Sequence, residues 1–176
     1  MSIALLNDGA GPLHQVCMGQ LSVGTHGEQL QALLGSCIGI GFIWKNGPCC
    51  GLAHCLLPEA PGADDALGAR YVSQAVPSLL RLMGVRRADY VDIDVVLAGG
   101  AHMFGPRNGR LQVGRQNAEA AHKYLAQCGL HVSFCALGGR HGRQLLIDCA
   151  RHSYAVTEVV APPELIPRKE GAYGYA

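Results

Sequence analysis

The sequence predicts an α/β fold, a mixed sheet system with covering helices. About seven β-type apolar runs stand against two long amphipathic helical patterns. The strands follow one another partly through tight turns and partly across helices, which argues against a strictly alternating parallel sheet. A chain of 176 residues that is 49% hydrophobic and 15% charged has the composition of one buried core rather than of a disordered segment. A single domain is expected over 1–160, with 161–176, which holds three prolines, as an extended C-terminal tail.

Residues 15–23 read as one strand, straight or bulged. Residues 33–44 (LLGSCIGIGFIW) form a β-type run. Lys45-Asn46-Gly47-Pro48 is a hairpin turn that returns a second strand over 49–57. Pro58 to Gly68 is a loop by composition, and Asp64-Asp65 within it reads as solvated. Val72, Ala75, Val76, Leu79, Leu80 and Met83 repeat at helical spacing and predict a helix over 70–83 that ends at Gly84. Pro77 removes a backbone bond inside it and predicts a kink or a break into two short helices. Residues 92–98 are a strand ending in Gly99-Gly100. Residues 116–128 are a second helix, with Ala118, Ala121, Leu125 and Cys128 on one face and Gly129 as its cap. Three further strands are expected over 131–137, 144–149 and 154–160.

A net charge of +1 leaves no basic surplus for nucleic acid, so no nucleic-acid partner is expected. Met1 to Leu6 run straight into Asn7-Asp8, with neither the basic nor the long apolar region of a signal peptide. The run at 33–44 is too short and too glycine-rich to span a bilayer. The expectation is a cytoplasmic protein without membrane insertion, its eight cysteines reduced. Cys49, Cys50, His54 and Cys55 invite a zinc reading. They lack a Cys-x-x-Cys pair, however, and strand alternation turns Cys50 away from Cys49 and Cys55. Gly99-Gly100 and Gly138-Gly139 lack the endings of a phosphate loop and read as turns. No metal and no cofactor are expected.

The chemistry concentrates in Gly35-Ser36-Cys37. Gly35 permits a bend or a close approach. The backbone N–H groups beside Cys37 suit an oxyanion, with Gly35 and Ser36 as substrate or oxyanion residues. Counting back across the 45–48 turn puts residue 37 opposite about residue 56, so His54 lies a diagonal step from Cys37. A thiol and an imidazole so placed form a nucleophile–base pair. The same residues also fit a small buried hydrophobe beside a satisfied core histidine, and spacing alone does not separate the two. His102 reads either as lining a pocket after the strand end or, more simply, as an exposed loop residue. Asn117 with Arg115 either helps position a backbone or a substrate or, more simply, is a polar pair at a helix start.

These residues carry a family resemblance. Leu33-Leu34-Gly35-Ser36-Cys37, Gly51-Leu52-Ala53-His54-Cys55-Leu56-Leu57-Pro58, Arg70-Tyr71, Gly99-Gly100-Ala101-His102-Met103-Phe104, Gly114-Arg115-Gln116-Asn117 and Leu137-Gly138-Gly139-Arg140-His141-Gly142-Arg143 stand in the order found in CheD. That family comprises chemoreceptor glutamine deamidases of bacterial and archaeal chemotaxis, and this sequence resembles it over about residues 15–160. The resemblance implies a mixed β-sheet sandwich flanked by helices, a cysteine-hydrolase fold similar to the cytotoxic necrotizing factor toxins. It implies Cys37 as nucleophile and His54 as base, acting on a receptor glutamine amide, with a glutamate methyl ester as second substrate. It further implies chemoreceptor cytoplasmic helices and a CheC-type phosphatase as partners. The alternative is a CheD-like binding module with weak or no catalysis. One departure bears on this choice. The family's Thr, five or six positions before the Cys, is replaced here by Gln31 and Ala32. Gln31 either orients His54 through its side-chain carbonyl or is a surface residue of an edge strand.

Overall fold

The computed structural model describes residues 11–62, 66–102 and 113–160. The tail from Ala161, Asp64-Asp65 and Met103-Phe104 lie outside the described residues. In chain order the elements are β1 (Leu13–Gln15), β2 (Leu21–Thr25), β3 (Gln29–Leu34), β4 (Ile38–Trp44), β5 (Cys49–Cys55), α1 (Val72–Met83), a short 3-10 helix (Arg87–Asp92), β6 (Ile93–Gly99), α2 (Val113–Cys128), β7 (Val132–Leu137), β8 (Gly142–Asp148) and β9 (Ser153–Val159). They form two mixed sheets. A five-stranded sheet runs β2-β5-β4-β6-β7, and a four-stranded sheet runs β1-β3-β8-β9. The mixed α/β architecture expected from the sequence is present.

Alternation along the central strands sorts the core into two layers. Ile38, Ile40 and Phe42 of β4, Cys49, Ala53 and Cys55 of β5 and Val95 and Leu97 of β6 pack with Val72, Val76 and Leu79 of α1 and Ala121 and Leu125 of α2. The opposite face of the same strands presents Ile43, Cys50, Leu52, Val96 and Ala98 to Leu30, Ala32, Leu34, Leu145 and Ile147 of the four-stranded sheet. Two glycines on that face of β4 let the sheets approach. A Cβ at Gly39 would stand 2.7 Å from Leu34 Cδ1, and one at Gly41 2.9 Å from Ile147 Cδ1. Strand alternation had placed Cys50 apart from Cys49 and Cys55, and the two cores divide them that way.

Two strand assignments change. Residues 15–23 are not one strand. β1 pairs in parallel with β3, whereas β2 pairs antiparallel with β5 in the other sheet. The run at 33–44 is also two strands. β3 ends at Leu34 in the four-stranded sheet, Gly35-Ser36-Cys37 bends, and β4 begins at Ile38 in the five-stranded one. Apolar residues on both sides of the bend conceal it, because each strand buries a face in the same inter-sheet core. Pro77 causes no break. It lies inside a continuous α1, which ends at Gly84 with φ 70°. No described helix is long and apolar enough to cross a membrane.

Candidate functional site

The bend at 35–37 is the crossing between the two sheets, and it opens at one end of the five-stranded sheet. The hairpin ladder runs Ile38↔Cys55, Gly39↔His54, Ile40↔Ala53, which is the register that counting across the 45–48 turn predicts. β6 flanks β4 on the other side, with Ile38↔Gly99. The start of β4 and the ends of β5 and β6 therefore meet. Three hydrogen bonds fix the bend there. The Gly100 N–H donates to the Cys37 carbonyl at 2.8 Å and the Ala101 N–H to the Gly35 carbonyl at 2.9 Å. The Asn117 Nδ2 donates to the Ser36 carbonyl at 3.2 Å. Among the described residues no backbone hydrogen bond engages the Ser36 or Cys37 N–H.

His54 is buried at 3% exposure. The turn between β1 and β2 grips it at three points. The His54 N–H donates to the Gln20 carbonyl at 2.9 Å, and its carbonyl accepts the Gly19 N–H at 2.8 Å. Its Nδ1 lies 3.0 Å from the Val16 carbonyl oxygen. A carbonyl only accepts, so Nδ1 carries the proton and Nε2 presents its lone pair. That Nε2 is buried and has no hydrogen-bond partner. Burial holds the His54 pKa below the ordinary imidazole value, against an opposing push from the Val16 hydrogen bond. The ring is a neutral base at pH 7. Cys37 is half-buried, and burial raises its thiol above the ordinary value while its own N–H pulls the other way. Its sulfur is close enough to the fully buried Cys55 to add to the upward push on that thiol, which burial dominates. The site at rest holds a protonated thiol and a neutral imidazole, with no hydrogen bond between them.

Gln31 is elsewhere. Its Nε2 donates to Gln15 Oε1 at 3.1 Å on the exposed side of the four-stranded sheet. Its link to the histidine is through backbone alone, since its carbonyl accepts the Val16 N–H at 2.7 Å. The group on the ring is the Val16 carbonyl, which no side-chain pattern announces. The only sequence signal for it is an apolar residue ending a short strand just before a turn. Of the two readings of Asn117, the helix-start polar residue gives way to the one that positions a backbone: it is fully buried, and its Nδ2 reaches the Ser36 and Leu56 carbonyls. Arg115 pairs with the exposed Glu119 at 2.7 Å, and His102 is exposed. Arg143 is buried at 8% exposure. Its Nη1 donates to the Gly138 carbonyl at 2.7 Å and the Gly99 carbonyl at 3.4 Å, which ties both glycine turns to the site's rim. Cys49, Cys50, His54 and Cys55 divide between the two faces of β5. Among the described residues no group of three or more His, Cys, Asp or Glu side chains is placed to hold a metal.

With this geometry in place, likeness to known proteins becomes informative. The family model described as CheD chemotactic sensory transduction matches residues 56–158. The chain is 36% identical over 136 residues to the probable chemoreceptor glutamine deamidase CheD of Bdellovibrio bacteriovorus, covering 76% of this chain and 87% of that protein. It is 34% identical over 162 residues to the probable chemoreceptor glutamine deamidase CheD 2 of a Ruegeria species, covering 82% and 90%. It is 36% identical over 134 residues to the probable chemoreceptor glutamine deamidase CheD of Methanococcus maripaludis, covering 76% and 87%. A family model that matches more than half of the chain, joined by relatives whose length it spans almost throughout, leaves one conclusion: the chain belongs to the CheD family.

Proposed function

We propose that this protein is a glutamine deamidase of chemoreceptors, with Cys37 as nucleophile and His54 as general base. The observation that carries this is the buried Nε2, without a partner among the described residues, of a histidine whose other nitrogen is fixed and whose ladder partner, Gly39, is two residues from Cys37 on the sheet-crossing bend. Relatives named for glutamine deamidation supply the reaction class.

In the forward step Cys37 Sγ attacks the δ-carbonyl carbon of a receptor glutamine while His54 Nε2 takes the thiol proton. The oxygen gains the negative charge beside the Ser36 and Cys37 N–H groups. Collapse breaks the C–N bond, His54 gives its proton to the nitrogen, and ammonia leaves a thioester. Water then attacks the thioester with His54 again as base, releasing glutamate and the thiol. A glutamate methyl ester enters the same sequence with methanol as the leaving group. Gly35 supports the oxyanion position by letting the bend form. The layered sheets and outer helices fit the cysteine-hydrolase fold of the cytotoxic necrotizing factor toxins.

The test is mass spectrometry of a receptor cytoplasmic fragment after incubation with wild type or Cys37→Ala, with ammonia measured in parallel. Amide-to-acid conversion by wild type alone supports the reading. Tight binding without conversion overturns it in favour of a CheD-like binding module for receptors or a CheC-type phosphatase.

A further inference from the structure

We propose that Asn117 is a positioning residue of this site, a two-pronged staple that sets Cys37 against His54. The inference rests on the deamidase reading above for its turnover arm only. The last cross-strand pair of the hairpin is Ile38↔Cys55. Beyond it, among the described residues, no backbone hydrogen bond joins residues 36–37 to 56–57. Asn117 fills that gap. Its Nδ2 donates to the Leu56 carbonyl at 2.9 Å and to the Ser36 carbonyl at 3.2 Å. One carbonyl precedes Cys37 in the chain and the other lies two residues after His54. The staple therefore spans the segments that carry the thiol and the base.

Two further observations give the amide a purpose beyond filling space. Asn117 Oδ1 is buried and has no hydrogen-bond partner among the described residues. An interior amide kept for stability would have its acceptor satisfied as well, whereas this one is oriented wholly by its two donors. The helix that carries it is also seated with little clearance. A Cβ on Gly114 would meet the Gly100 carbonyl oxygen at 2.6 Å and that of Ala101 at 3.1 Å. Gly114 and Asn117 lie one turn apart on the buried face of α2. Close docking at Gly114 thus brings the Asn117 amide to the bend, while Gly100 and Ala101 hold the Cys37 and Gly35 carbonyls from the same side.

The experiment compares wild type with Asn117→Leu, which keeps the branched shape in a somewhat larger side chain and removes both donors. Leu125→Ala, deeper on the same helix, is the control for lost packing. Receptor-fragment turnover is read as kcat and KM, and iodoacetamide labelling is mapped by peptide to Cys37 and to the buried Cys55. Asn117→Leu is expected to lower kcat about 100-fold, the scale of a misplaced reacting group, with KM within about threefold. Cys37 is expected to label faster as its segment loosens, while Cys55 stays protected. Leu125→Ala should change neither kcat nor Cys37 labelling by more than about threefold. Unchanged Cys37 labelling overturns the inference, as does labelling that rises equally at Cys37 and Cys55. If Asn117→Leu does not fold, Asn117→Ser, which keeps one donor, is read in the same way. Failure of both to fold makes the residue structural and overturns the inference. If wild type converts no glutamine, the deamidase reading fails while selective Cys37 labelling still upholds the staple.

Discussion

Substituting Gly99 by Ala tests whether the exit of β6 holds the proposed nucleophile. Gly99 has φ 107°, a conformation that an L side chain rarely adopts. A Cβ there would be driven into the Cys37 carbonyl oxygen, with Leu34 Cβ 3.2 Å away. Backbone oxygens of a bonded ladder do not yield as a flexible side-chain end does. Backbone strain at such a position costs about 1–3 kcal/mol. Displacing the Cys37 carbonyl also weakens its bond from the Gly100 N–H, about 1 kcal/mol more. A loss of about 2–4 kcal/mol leaves a domain of ordinary stability folded. A displacement of about 1 Å at Cys37 lowers turnover about 100-fold. The assay is urea denaturation at constant m-value alongside receptor-fragment conversion. Gly84→Ala is the matched control. Its φ is also positive, 70°, but nothing lies within 4 Å of the added atom. It should lose about 1 kcal/mol and keep its turnover. Equal losses of stability and turnover in the two variants would refute the claim that the Cys37 contact is what matters.

Other outcomes follow from the same geometry. Gln31→Ala should change turnover by less than about twofold, because the ring is oriented by a carbonyl; a loss above tenfold would return the orienting role to Gln31. The acid limb of kcat/KM should have its midpoint below the ordinary imidazole value of 6.5, since burial depresses His54 and only the neutral ring accepts a proton; a midpoint above 6.5 contradicts this. Folding stability should fall above pH 9, the ordinary thiol value. There the unfolded chain releases protons that Cys37, Cys49 and Cys55, all raised by burial, retain when folded; stability from these groups is present below 9 and lost as pH rises. A urea midpoint that climbs between pH 9 and 10 would reverse that sign. Cys37 at pH 7 should alkylate no faster than an ordinary exposed thiol, because it rests protonated; a rate far above the exposed Cys17 in the same chain would point to a preformed thiolate.

How much of this was legible in the sequence depends on the range of the interactions involved. The hairpin is local. Asn46-Gly47 fixes its turn, so the pairing of β4 with β5, which carries His54 opposite Gly39, follows by counting. The helix over 72–83 is likewise written in its spacing, and Gly84 ends it as read. The sheet to which each strand belongs is a long-range property. Leu33 and Leu34 look continuous with Ile38 to Trp44 because all are apolar, although Leu34 is buried and Leu33 exposed, and only the Gly35-Ser36 interruption signals the change of sheet. Val16 was hidden for a different reason. Its contribution is a main-chain oxygen, so any residue type at that position carries it. The helix expected over 116–128 put Asn117 at its start, where polar residues are common, whereas α2 begins at Val113 and carries Asn117 on its buried face one turn in. The Thr expected five or six residues before the Cys led attention to Gln31, whereas the orienting oxygen comes from the neighbouring segment that Gln31 supports through its backbone.

The resting state of the pair constrains the order of events. Ordinary values of 9.0 for the thiol and 6.5 for the imidazole already place a thiolate–imidazolium pair about 3.4 kcal/mol above the neutral one, at about 1.36 kcal/mol per unit. Burial raises the thiol and lowers the imidazole, so both shifts widen that gap. A stable ion pair would need compensating charge, and the contacts of His54 supply only a carbonyl dipole at Nδ1. In the proposed reaction the proton is therefore best moved as the sulfur attacks, when the new charge passes on to the carbonyl oxygen. The Ser36 and Cys37 N–H groups, which no backbone hydrogen bond engages among the described residues, are where that reaction would place the charge. In the proposed reaction, a nucleophile that rests neutral limits reaction with adventitious electrophiles until a glutamine is seated beside the thiol and the buried Nε2.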